Sequence, residues 1–202
     1  MARQVERREF LAQAALAAGA VAGGFQATAK GYRANETIEV GCIGTGGRCQ
    51  QLMGVLGKIP GVRISAVCDV WDTNREKGKA LAAPNAFVTK AHEELLAQRH
   101  LDAVLIGAPD HLHVPLAVDA CHAGKDVYVE KPLTHELTEG KAAVEAQNTH
   151  KRIVQVGTQQ RSMTHIQKAY DLYKAGGIGT VHKVHCTWNR NAARAQRFKD
   201  GI

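Results

Sequence analysis

Aromatic residues make up only 5% of this 202-residue chain, so it has no interleaved series of rings on which the bases of a nucleic-acid strand would stack. The net charge is +7, but the basic residues are scattered along the chain. They form no stripe, and nucleic acid is not an expected partner. The charge reads as a solvated basic surface that favours anionic ligands. There is no C-x-x-C pair. The five cysteines, Cys42, Cys49, Cys68, Cys121 and Cys186, are odd in number and widely spaced, which excludes a zinc ribbon and a redox dithiol. None of the ten histidines falls in an H-E-x-x-H spacing, so no metal site is expected. Repeats and low-complexity tracts are missing after residue 30. With 45% hydrophobic and 22% charged residues, the composition is that of a globular protein long enough for one full core and part of a second.

Residues 1–29 differ from everything after them. Arg7-Arg8-Glu9-Phe10-Leu11 precedes an Ala/Gly-rich apolar segment that runs to Gly24, and Ala27-Thr28-Ala29 then supplies an A-x-A cleavage pattern before Lys30. The adjacent arginines followed by x-Phe-Leu resemble a twin-arginine export signal, with Glu6 and Ala12 departing from the usual motif. The other reading is an amphipathic N-terminal helix. Against it, Ala15 to Gly24 is apolar all round and weakened by Gly19, Gly23 and Gly24. The segment is also too short and glycine-rich for a membrane span. The expectation is a periplasmic or extracytoplasmic protein, exported already folded, with no stable membrane anchor after processing.

From Thr37 onward, short β-rich runs alternate with helical stretches. Strands are expected at 38–43, 63–68, 86–88, 103–106, 126–130 and 153–156, and the intervening segments carry helical spacing. Several runs are apolar throughout, as strands buried on both faces are. Six such strands define an α/β class, a doubly wound parallel sheet, over residues 36–158. After Thr158 the pattern changes to a helix around 165–175 and a strand over Val181–Trp188. Residues 159–202 read as the beginning of an α+β substrate domain, cut short at Ile202.

The first strand runs into Gly44-Thr45-Gly46-Gly47-Arg48-Cys49. Gly44-x-Gly46 opens the G-x-G-x-x-G fingerprint of a dinucleotide-binding fold, although the third glycine position holds Cys49. Gly44 permits the tight turn, Gly46 admits the pyrophosphate, and the helix N-terminus that follows presents free N–H groups to the phosphates. Thr45, Gly47 and Arg48 complete this loop. Asp69, 23 residues after Gly46 at the end of the second strand, is placed to accept from the adenosine ribose hydroxyls and to repel a 2′-phosphate. NAD is therefore expected over NADP, although Arg75 is a nearby cation able to meet a 2′-phosphate. The alternative for Asp69 is a helix N-cap, for which Asp72 is better placed.

Ala108-Pro109-Asp110-His111-Leu112-His113 and the segment from Ala123 to Val129-Glu130-Lys131-Pro132 resemble the glucose–fructose oxidoreductase and inositol dehydrogenase family (Gfo/Idh/MocA). Val156-Gly157-Thr158-Gln159-Gln160-Arg161 and Gly176-Gly177-Ile178-Gly179 add to the likeness, which spans residues 36–191. The resemblance implies a Rossmann domain followed by a substrate domain with a large open sheet through which copies of the whole protein associate. It implies hydride transfer between NAD and a ring alcohol of a sugar or cyclitol. Lys131 matches the catalytic lysine, Glu130 and Pro132 its neighbours, and Pro109 and His113 line the nicotinamide end. The family's Asp-x-x-x-His pair has no counterpart between Thr158 and Ile202. Lys131 also follows the fifth strand into the crevice at the carboxyl ends, where partial desolvation would suit it to proton transfer. Glu130 joins the expected cofactor-binding residues and is placed to orient Lys131. Two other readings stand beside the dehydrogenase: an NAD-dependent glycosidase of the same superfamily, and a catalytically incomplete NAD-binding module.

Overall fold

A computed structural model describes residues 37–187. Six strands, β1 (Ile38–Ile43), β2 (Val62–Cys68), β3 (Phe87–Thr89), β4 (Ala103–Ile106), β5 (Asp126–Glu130) and β6 (Val154–Gly157), form one sheet in the order β3-β2-β1-β4-β5-β6. Every neighbouring pair is parallel. Five helices fill the crossovers: α1 (Gly47–Leu56), α2 (Asp72–Leu81), α3 (His92–Leu96), α4 (His113–His122) and α5 (Glu139–His150). The doubly wound parallel sheet expected from the alternation is therefore present, with each strand within about a residue of its expected place.

The side-chain alternation of each strand feeds two separate cores. Val104, Ile106, Val127 and Val129 point to one face and pack with Leu95 and Leu96 of α3 and with Leu116, Ala117 and Ala120 of α4. Leu105, Tyr128, Cys42 and Val67 point to the other and meet Leu52, Met53 and Leu56 of α1. Ile106, Leu95 and Met53 are completely buried, each contributing about 1.5–3 kcal/mol by its removal from water. Lys125, just before β5, is also buried, because its ammonium donates to the carbonyls of Gln98 (2.8 Å) and Leu101 (2.9 Å). That arrangement holds the α3–β4 connection against the start of β5.

The sheet has one feature that matters for ligands. Successive connections run outward from β1 in one direction through β2 and β3, and in the other through β4, β5 and β6. The loops after β1 and β4 thus diverge to opposite faces and leave a crevice at the carboxyl ends, where such sheets bind ligands.

The chain divides into two compact units after Ile166. In the second, helix α6 (Thr164–Lys174) continues to Lys174, and the rings of Tyr170 and Tyr173 lie 6.4 Å apart. Turns then follow through Gly176 and Gly179, both at positive φ. The strand expected over Val181–Trp188 is not found: residues 181–187 have no regular secondary structure, and Trp188 lies outside the described residues. Strand propensity alone does not hold an extended segment, which needs a neighbour for its backbone groups. The export signature at residues 1–29 also lies outside the described residues.

Candidate functional site

The phosphate loop is built by backbone geometry. At the end of β1, Gly44 adopts φ +75° and donates its N–H to Cys68 O at 2.8 Å. A Cβ on Gly44 would stand 2.5 Å from the backbone of Ala108, so both its conformation and the closeness of the β4 loop demand glycine. Gly46 caps α1 with extended backbone and no side-chain hydrogen bond, and the first turn of α1 holds no acidic residue. The helix therefore begins with N–H groups that no side chain satisfies. The partial positive charge there favours an anion. A Cβ on Gly46 would meet only Asn74 Nδ2, at 3.8 Å, and one on Gly47 would meet nothing within 4 Å. The protein leaves this space open, as a site for a bulky polyanion requires.

Thr45 faces the other way. It is fully buried, donates to Asn74 O at 3.0 Å, and lies with its hydroxyl 3.4 Å from Asp69 Oδ2. Gln50 Nε2 donates to Thr45 O at 2.6 Å. Thr45 thus ties the loop to α2 and to the acid at the end of β2, and its side chain takes no place in the open cleft.

Asp69 is 8% exposed, and its Oδ1 accepts from the Trp71 N–H at 2.8 Å. A carboxylate has about four lone-pair positions, so these two contacts leave capacity for the two hydroxyls of a ribose. Arg75 is engaged on both sides of this strand end. Its guanidinium donates to the backbone carbonyl of Asp69 at 3.0 Å and to Asp72 Oδ1 at 2.5 Å. Asp72 is paired with Lys90 as well, and these two cations hold its carboxyl below the usual carboxylate range.

At the far side of the crevice, Pro109 is exposed and opens a short 3₁₀ turn over Asp110–Leu112. His113, the first residue of α4, is 1% exposed. Its Nδ1 lies 2.5 Å from Pro132 O and its Nε2 2.9 Å from Ala108 O. Each ring nitrogen faces a backbone carbonyl from a different loop, so His113 sits between the β4 and β5 loops beneath the cleft. Any contact it makes with a nicotinamide runs through the backbone it positions.

Glu130, at the end of β5, is 4% exposed. Its Oε1 accepts from Arg48 Nε at 2.9 Å and its Oε2 from the backbone N–H of Lys131 at 3.2 Å. Glu130 thus holds Lys131 through its backbone N–H, while the rest of its carboxylate is engaged by Arg48 and not by the lysine ammonium. Arg48 likewise gives its side chain to Glu130 and to Gln51, leaving its backbone N–H to α1. Lys131 is exposed, and among the described residues its ammonium meets no partner. The desolvation expected for it is not provided by this domain. Lys131 joins Pro132 by a cis peptide bond.

Sequence reasoning missed the small residues that let these parts meet. Gly78 of α2 faces Thr45, which a Cβ would approach to 2.8 Å, and Gly107 faces Cys49. A glycine directly after the apolar run of β4 was the available signal for the second.

A phosphate cradle at the first strand–helix turn and an acid at the end of β2, at the switch point of a 3-2-1-4-5-6 sheet, define a dinucleotide-binding Rossmann domain. The family described as "Oxidoreductase family, NAD-binding Rossmann fold" matches residues 38–158. The chain belongs to this Gfo/Idh/MocA oxidoreductase family. It is 33% identical over 180 residues to inositol 2-dehydrogenase 1 of Saccharopolyspora erythraea, covering 80% of this chain and 48% of that protein. It is 34% identical to inositol 2-dehydrogenase 3 of the same organism, at 82% and 49% coverage. Among solved structures, scyllo-inositol dehydrogenase from Lactobacillus casei, with bound NAD(H) and scyllo-inositol, shares the fold. Its TM-score is 0.64 at 23% identity, covering 71% of this chain and 42% of that one. The chain spans about half the length of the curated relatives it matches.

Proposed function

We propose that this protein is the cofactor-binding part of an NAD-dependent oxidoreductase that moves a hydride between a ring alcohol of a cyclitol or sugar and the nicotinamide. The observation that carries the reading is the open cradle over Gly46 and Gly47 at the uncapped N-terminus of α1, with Asp69 at the end of the neighbouring strand. The inositol dehydrogenases among its relatives support a cyclitol as the substrate class. The glycosidase alternative has no support among them.

NAD, when bound, supplies the hydride acceptor. The N–H groups of α1 bind the phosphates, Asp69 accepts from the adenosine ribose, and Asp72 competes with a 2′-phosphate for Arg75. Lys131 stands at the carboxyl end of β5 as the group that exchanges a proton with the substrate hydroxyl. His113 and Glu130 fix the loops from which these groups act. The twin-arginine signature further supports an extracytoplasmic location.

The test is calorimetric titration with NAD and NADP, followed by NADH absorbance on addition of myo- or scyllo-inositol. Tighter NAD than NADP, with inositol-dependent NADH formation in a protein carrying a substrate domain, is the expected result. Absence of NAD binding sinks the proposal.

A further inference from the structure

We infer that Gly107 has taken over the work of the missing third glycine in the phosphate loop. In the G-x-G-x-x-G fingerprint the third glycine lets the first helix pack closely on the sheet, and here that position is Cys49. The side chain of Cys49 is completely buried, as is Cys42 on β1, so it does not escape by turning outward. The space comes from the strand side. Gly107 follows the last residue of β4 and donates its N–H to Ile43 O at 2.9 Å. Ile43 and Ile106 are register partners, which sets Gly107 beside Gly44.

A Cβ built on Gly107 would stand 2.7 Å from Cys49 Cβ, 3.1 Å from Gly44 O and 3.4 Å from Cys49 Cα. The first distance is one that real side chains do not tolerate, and Cys49 Cβ is fixed directly to the helix backbone. Relief requires α1 to move off the sheet. The first turn of α1 carries the N–H groups of Gly47 and Arg48, and Gly44 shapes the turn before it. An alanine at 107 therefore acts on the cradle through the position of α1. The backbone of Gly107 is not in the left-handed region, so the requirement is one of space. Gly107 is a positioning residue whose necessity depends on the identity of residue 49.

The dependence is testable in four proteins: the unaltered chain, Gly107→Ala, Cys49→Gly and the double variant. NAD affinity is read by calorimetry and stability by the thermal midpoint. Gly107→Ala is expected to weaken NAD roughly tenfold or more, the scale of overpacking a tight contact. Cys49→Gly alone leaves NAD within about twofold, and the double variant recovers most of what Gly107→Ala loses, a non-additivity typical of touching residues. Unchanged NAD affinity in Gly107→Ala overturns the inference, as does a double variant no better than Gly107→Ala. If Gly107→Ala does not fold, the double variant must fold and bind like Cys49→Gly, and its failure to do so is equally fatal. The inference rests on the reading of this loop as the NAD cradle. If the unaltered protein binds no NAD, that reading fails, and the steric relation is decided by whether the four thermal midpoints are non-additive.

Discussion

Nε of Arg48 lies 2.9 Å from Oε1 of Glu130, joining two residues 82 positions apart. Through this pair the first turn of α1 is fastened to the end of β5, the residue before Lys131. The phosphate cradle and the proposed proton-exchanging lysine therefore share one brace. Glu130 is almost fully buried, and the Arg48 side chain is 36% exposed.

Glu130→Gln keeps the shape of the brace and removes its charge. Water reaches part of Arg48, so the expected cost is about 1–2 kcal/mol, below the full penalty of a buried broken pair. Denaturant unfolding measures it. Arg48→Met added to Glu130→Gln should recover part of the loss, because it removes the unpaired guanidinium. An unfolding midpoint unchanged by Glu130→Gln would show that the pair is not a brace.

The proposed preference for NAD rests on Asp69 and on what engages Arg75. Asp69→Ala is expected to weaken NAD by about 1–2 kcal/mol, the range for a lost charged hydrogen-bond partner. NADP should be less affected. Adding Asp72→Ala frees Arg75 from its 2.5 Å contact, so the double variant should show the largest shift toward NADP. Dissociation constants for both nucleotides in the three proteins decide this, and tighter NADP than NAD in the unaltered protein would refute the preference.

In the active oxidoreductase, Lys131→Met should slow turnover by roughly 10²–10⁴-fold, the usual worth of a positioned acid–base group. The Lys131 ammonium has no hydrogen-bond or ion-pair partner among the described residues, so stability and NAD affinity should hardly change. Steady-state rates beside a NAD titration separate these effects. A fully active Lys131→Met enzyme removes the residue from the mechanism.

Glu39 couples β1 to β2 through Arg63, with Arg63 Nε 3.0 Å from its Oε2. Burial pushes the Glu39 carboxyl up, but the Arg63 guanidinium contributes to a net shift below its ordinary value of 4.5. A carboxyl lowered in the folded state stabilises the fold above the unfolded value, and that contribution is lost as pH falls through the folded one. Stability should therefore decline below pH 4.5, and Glu39→Gln should flatten that part of the curve. Unfolding curves between neutral and acidic pH, with identical slopes in both proteins, would contradict the assignment.

The proposed export rests on Arg7-Arg8 and Ala27-x-Ala29. Residues 1–35 fused to a reporter that folds before transport should carry it out of the cytoplasm, and Arg7→Lys with Arg8→Lys should stop it. Equal export of both fusions would end the twin-arginine reading.

The sheet was legible because parallel strands buried on both faces read as nearly unbroken apolar runs, and β4 and β5 show this most plainly. The places of Gly44, Gly46 and Asp69 were legible because backbone geometry and strand ends set them. What was not legible depends on distant partners. Nothing local to Arg48 indicates that its side chain reaches Glu130, and a histidine at a helix start reads alike whether it lines a cleft or ties two loops together. Val181 to Thr187 has strand composition, but composition does not supply the neighbour that makes a strand.

Because β1 is central, its two edges are completed at different times during synthesis. One edge pairs with β2, which follows closely. The other waits for β4, since Val40 is partnered by Ala103 and Ile43 by Ile106. At about 5–20 residues per second, the roughly sixty residues in between take several seconds to emerge from a ribosome. For that interval β1 presents an unpaired apolar edge, the kind that mispairs with other chains.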